Sequence, residues 1–429
     1  MRAGWAFAIL CIVACAPAIP HLPSEGGPTW FEIKSEHFRL WTDDSIERGQ
    51  KLVRDLERRR EVIASAMGKV ASRAMAFVIA VRSTRERAVY VPLDFVGVAW
   101  GPQNPTGQPG IFLNADYKDR DHVVSHELAH VVSLGWFANL PSWLDEGIGT
   151  YFEMVDVDTD DTSVKIGIPR EDRGELLRNR LLITVPELFA CHEARCKDAV
   201  FYAASWAVFT LLLNEHYDGL AHYLQRMNEL RLDSPEGHWD GEPSGLPAEQ
   251  AARERAHRFE QWQRAEAEAW RDAFPALPPE KLDLELAEWL RTGKLRIPRI
   301  DVALREFPTA VRKLSDADVL AGRSWLGYRY TDDTAATLRD ARAALALDRT
   351  NVLARIVATA LTHAIAGDDA RAVAAAHPDD WRALRLVERA LRGTPEADQA
   401  TERLCAMAGA SAPECGPGRR RSDPRAAGR

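Results

Sequence analysis

Apolar and polar residues alternate from Trp30 to Trp41 (WFEIKSEHFRLW), a pattern that predicts a strand pair or one long strand. From Ser45 to Met67 the period lengthens. Ile46, Leu52, Val53, Leu56 and Val62 recur at helical spacings and predict an amphipathic helix. Ala74 to Val81 is apolar and β-branched and reads as a strand, and Gly110 to Asn114 (GIFLN) reads as a second, short one. Tyr90 to Gly110, between them, is rich in Pro and Gly and reads as a loop. This β-α-β-loop-β order implies a small mixed sheet. A helix from about Asp121 to Leu134 follows it, with Gly135 as its C-terminal stop. A second helix starts near Ser142, where Ser142 and Asp145 fit part of a capping box. Phe201 to Leu230 is a strong amphipathic helical region. The fold class is therefore α+β.

The rest of the chain is helical in pattern. A polar Gly/Pro break runs from Ser234 to Pro247, and a charged helical segment from Glu249 to Phe274. Residues 300–400 are rich in Ala and Leu. Ala341 to Asp348 with Asn351 and Ala354 resembles the end of a tetratricopeptide repeat, and a weaker echo begins at Ala370. The expected organisation is a first domain at 28–232 and a linker with a charged helix at 233–299. An all-α helical-hairpin domain at 300–415 and a disordered tail at 416–429 complete it.

Composition narrows the class. The chain has 429 residues with 46% hydrophobic and 28% charged, which excludes a wholly disordered chain. Its net charge of -8 gives no electrostatic reason to expect nucleic acid as a partner. Met1-Arg2 followed by the apolar run Gly4 to Ala14 reads as a secretory signal spanning 1–18. Ile12-Val13-Ala14-Cys15 resembles a bacterial lipobox, with Cys15 as a lipid anchor. Ordinary cleavage after Ala16 or Ala18 is the alternative. The expected location is the bacterial periplasm or cell envelope. The later cysteines fall into two local pairs, Cys191/Cys196 and Cys405/Cys415, and read as disulfides in an oxidising compartment rather than as a structural zinc site.

The chemistry concentrates in His126-Glu127-Leu128-Ala129-His130. Positions four apart lie on one helix face, about 6 Å along the axis, so two imidazoles can converge on one metal ion. Glu127 then sits beside the metal, where it can act as a general base. Fewer than ~0.05 such patterns are expected by chance at this composition. The flanking Val123, Val124, Leu128, Val131 and Val132 mark a buried helix, in which two histidines and a glutamate need partners. A catalytic zinc, one per chain, requires a third protein ligand and an open position.

The HExxH pattern followed by Trp143-Leu144-Asp145-Glu146-Gly147 resembles the gluzincin zinc metallopeptidases, in particular the exported bacterial branch with a peptidase-MA-like domain. The resemblance covers roughly residues 28 to 230. It implies a gluzincin-like catalytic domain with Glu146 as third ligand beside His126 and His130. It also implies that Tyr202, in Tyr202-Ala203-Ala204-Ser205-Trp206, faces the zinc and stabilises an oxyanion. Asp145 and Glu153 compete with Glu146 as acids, and capping suits Asp145 better. His122, His216 and His222 read as surface histidines, Trp136 and Trp143 as core. Strand Ile111 to Asn114 is a candidate edge for binding a peptide backbone.

These residues imply a zinc-dependent peptidase acting on peptide or protein substrates. No amine-binding residues of a dedicated aminopeptidase are evident, which favours an endopeptidase. Two rival readings remain: an inactive metallopeptidase-like scaffold, and an adaptor whose C-terminal helices hold a protein partner.

Overall fold

A computed structural model describes residues 20–68, 75–83, 86–88, 91, 96–102, 104–116, 120–133, 137, 140–155, 162–179, 183–192, 197–230, 248–293, 295–303, 305–408 and 415. The signal region with Cys11 and Cys15, residues 134–136, Cys196, the 234–247 break and the 416–429 tail lie outside these.

The fold is α+β. A hairpin of β1 (Phe31–Lys34) and β2 (Phe38–Thr42) leads into α1 (Ile46–Ala66). That helix begins where the Ser45 hydroxyl accepts the Arg48 amide at 3.3 Å. β3 (Ala76–Val81) runs parallel to β2, and β5 (Gly110–Asn114) parallel to β3. β4 (Gly97–Trp100), inside the Pro/Gly-rich stretch read as loop, pairs antiparallel with β5. Four residues with Gly97 at the start are too few to show an alternation in the sequence.

The helices α2 (Arg120–Ser133) and α3 (Ser142–Phe152) follow, then β6 (Ser163–Lys165), α4 (Glu171–Arg178) and α5 (Val185–Phe189). The region read as one helical stretch at 201–230 is two helices, α6 (Ala199–Glu215) and α7 (Tyr217–Leu230), divided at His216. Next come α8 (Ala248–Ala273), α9 (Pro279–Thr292), β7 (Arg299–Asp301) and β8 (Ala310–Lys313). Six further helices follow among the described residues: α10 (Asp316–Tyr330), α11 (Thr334–Leu347), α12 (Val352–Thr362), α13 (Gly367–Ala376), α14 (Trp381–Ala390) and α15 (Pro395–Ala408). No helix among the described residues is long and apolar enough to cross a membrane.

The six-stranded sheet has the order β4-β5-β3-β2-β1-β8. Here the structure differs from an all-α reading of residues 300–415. Ala310–Lys313 pairs antiparallel with β1 and forms one edge of the sheet. The side chains of this strand are all exposed, so it carries no apolar alternation that a sequence reading could detect.

Every side chain of β3 is buried, and a strand buried on both faces needs cover on both. One face sets Ile33, Leu40, Val78, Ala80 and Ile111 against Leu56 and Val62 of α1 and Leu128 of α2. The other sets Trp41, Phe77, Ile79, Trp100 and Phe112 against Val319 and Trp325 of α10, Ala344 of α11 and Leu353 of α12. A buried ion pair fastens this second layer. Arg323 of α10 donates through Nε and Nη2 to Glu86, the latter at 3.0 Å, and the two residues are 3% and 0% exposed. Cys405 and Cys415 form a disulfide, and Cys191 is also disulfide-bonded.

Candidate metal centre

Helices α2 and α3 bring His126, His130 and Glu146 together as a buried group able to hold a metal ion. Nε2 of His126 lies 3.0 Å from Nε2 of His130 and 3.1 Å from Oε2 of Glu146. Nε2 of His130 is 3.5 Å from the same oxygen. Ligand atoms on a tetrahedral ion with bonds of 2.0–2.1 Å stand about 3.3 Å apart, so the three atoms match such an ion. A single proton cannot satisfy all three contacts, whereas a cation can. The residues therefore fit a metal.

The approach of the two helices depends on one glycine. A Cβ at Gly149 would lie 2.8–3.0 Å from three atoms of the His126 ring. Gly147 faces α6, where a Cβ would meet the Ser205 carbonyl oxygen at 2.8 Å.

The surroundings orient the ligands. The capping role expected of Asp145 does not hold. The N-cap is Pro141, which makes no side-chain capping bond, and the Asp145 carboxylate instead holds Nδ1 of His130 at 3.0 Å. A carboxylate on the far nitrogen fixes the tautomer that presents Nε2 to a metal. The signal was present in the sequence, since Asp145 precedes Glu146, but helix spacing alone favoured the cap. Burial opposes charge on Glu146, yet hydrogen bonds from His126 and His130 hold its carboxyl well below the ordinary range. His130 is pushed well above its ordinary value: burial works against this, and Asp145 and Glu146 outweigh it.

Glu127 lies beside the group. Its carboxylate accepts the Ala99 amide of β4 at 2.6 Å. Burial is the main force raising its pKa, with the nearby Glu146 adding to it. Gly97, two residues before Ala99, permits this approach, because a Cβ there would lie 2.5 Å from Val123 Cγ1 and 3.1 Å from Glu127 Cγ. The sheet edge next to Glu127 is accordingly β4. The expectation for Ile111 to Asn114 as a free edge does not hold, since β5 lies between β4 and β3.

Tyr202 of α6 stands with its ring centroid 5.9 Å from that of His126. Arg173 of α4 lies over the phenol ring, 5.0 Å from its centroid. Burial first, then Glu146 and Glu127, push the Tyr202 hydroxyl above its ordinary range, so it is a donor at neutral pH. Glu153 stays outside the ligand group, is 3% exposed, and pairs with Arg173 and with Arg170 at 3.5 Å.

The other named residues lie apart from the site. His216 is bonded to Glu285 at 2.6 Å, and His222 is 4.0 Å from Asp272 on the surface. Trp143 is core, 1% exposed and stacked on Phe189. His122 is half-buried on α2. Lys197 and Arg173 carried no motif in the sequence, and only the fold reveals their place.

No family model and no curated protein matches this chain.

Proposed function

We propose that this chain is a zinc-dependent peptidase of the gluzincin type, most simply an endopeptidase. The observation that carries the reading is the convergence of His126, His130 and Glu146 with the half-buried Glu127 carboxylate beside them. Two imidazoles and a carboxylate, with no fourth protein ligand among the described residues, suit catalytic zinc better than a closed structural site. Zinc bound there supplies Lewis-acid chemistry at the scissile carbonyl.

The chain's own residues supply the rest. Glu127 takes the proton of the attacking water and returns it to the leaving amine. The Tyr202 hydroxyl donates to the oxyanion that develops on the carbonyl oxygen. The β4 edge offers backbone groups for an extended peptide beside Glu127.

Elemental analysis of the purified protein tests the reading. We expect about one zinc per chain, lost in Glu146→Ala and retained in Glu127→Ala, together with peptide hydrolysis that a chelator abolishes and zinc restores. A wild-type chain that takes up no metal after dialysis against zinc would sink the proposal. Tyr202→Phe is expected to lower kcat by about 10²-fold with zinc content unchanged, and an unchanged kcat would remove Tyr202 from the chemistry. The exported location belongs with this proposal, and cell fractionation of the expressed full chain checks it.

A further inference from the structure

The two oxygens of Glu146 have different surroundings. Oε2 meets the imidazoles, 3.1 Å from Nε2 of His126 and 3.5 Å from Nε2 of His130. Oε1 turns away and accepts from Nζ of Lys197 at 3.3 Å. The pair is shielded, with side-chain exposures of 24% for Lys197 and 12% for Glu146. A charge-assisted hydrogen bond in that setting directs geometry more strongly than one in water.

The backbone holds Lys197 in place. Its neighbour Asp198 is the N-cap of α6 and accepts the amides of Val200 and Phe201 at 3.0 and 2.9 Å. Tyr202 lies on the first turn of the same helix. The start of α6 thus presents Lys197 to the outer oxygen of a ligand and Tyr202 to the ring of another.

A carboxylate can bind a divalent ion through one oxygen or through both. Binding through both adds a fifth contact and crowds the position that a catalytic zinc must keep open. We propose that Lys197 is a positioning residue: it engages Oε1 so that Glu146 meets the metal through Oε2 alone. The inference rests on the metal-centre reading and goes beyond it. Lys197 belongs to no ligand motif, and its effect falls on how a ligand binds. If Lys197 served merely to tie α3 to α6, its loss would alter stability and leave the coordination number unchanged.

Cobalt separates these cases, because four-coordinate Co2+ absorbs visible light several-fold more strongly than five-coordinate Co2+. The full chain is loaded with Co2+, metal content is measured, and spectra are compared at equal occupancy. Wild type is expected to give the intense four-coordinate bands. In Lys197→Met the intensity should fall several-fold, and turnover of the zinc form should fall about 10–100-fold. Lys197→Arg should restore the wild-type spectrum. Lys197→Gln, read in the same way, replaces the methionine variant if that one does not fold. An unchanged spectrum in the neutral variant at full cobalt occupancy overturns the role of Lys197 and leaves the metal centre standing. A wild-type chain that takes up no cobalt overturns both.

Discussion

Replacing Glu127 with glutamine is expected to lower kcat/KM for peptide hydrolysis by about 10³-fold while zinc content stays at the wild-type level. The substitution preserves shape, and the amide oxygen can still accept the Ala99 N–H, which Glu127 binds at 2.6 Å. What disappears is the ability to take up a proton. Burial raises the pKa of the Glu127 carboxyl, against the lowering effect of His126 and His130 beside it. Glutamine removes that base without touching the three candidate ligands His126, His130 and Glu146. Steady-state kinetics beside elemental analysis read both quantities. A loss below about tenfold with zinc in place would mean that another group moves the proton.

Arg323→Met is expected to destabilise the chain by about 3–5 kcal/mol, because it strands the Glu86 carboxylate inside the protein. Glu86 is 0% exposed and Arg323 3% exposed, and two guanidinium nitrogens meet its two oxygens. Removing both charges in Glu86→Leu with Arg323→Met should recover most of the loss. The sign of the pH dependence follows from Glu86. Burial raises its folded pKa above the ordinary value even with Arg323 beside it. Without Arg323 the native state holds the proton to still higher pH than the unfolded chain does, so stability falls as pH rises through that interval. The deficit of the single variant should therefore be smaller at about pH 5 than at about pH 8. Denaturant midpoints at the two values measure it. A single variant as stable as wild type at both would show that the pair fastens nothing.

Long periodic elements were legible in the sequence. The run Ser45 to Met67 is α1 with Ser45 as its cap, GIFLN is β5 to the residue, and the HExxH segment is α2. Each carries its own pattern: a 3.6-residue period, a short apolar run between Gly and Asn, or a rare combination of side chains. The grouping of His126, His130 and Glu146 was expected as well, the histidines from their spacing and Glu146 from the family resemblance, and the fold brings the three together. What remained hidden depends on partners distant in sequence. β4 is four residues in a Gly/Pro-rich stretch, and β8 is four exposed residues that become a strand by bonding to β1. Asp145 satisfies a local capping rule on paper, yet it serves His130, fifteen residues earlier. Lys197 reaches Glu146 across 51 positions, and nothing in its neighbours announces this.

The central sheet takes five strands from residues 31–114, but its second covering layer comes from beyond residue 315. A ribosome making about 5–20 residues per second therefore holds a nascent chain for many seconds with Trp41, Phe77, Ile79, Trp100 and Phe112 uncovered. Over that interval β1 also lacks β8 as its neighbour and presents an open edge. The same architecture that covers both faces of the central strands at the end of synthesis makes the half-made chain a client for chaperones. Premature termination between residue 115 and residue 315 is expected to leave this apolar face uncovered and the product prone to aggregate.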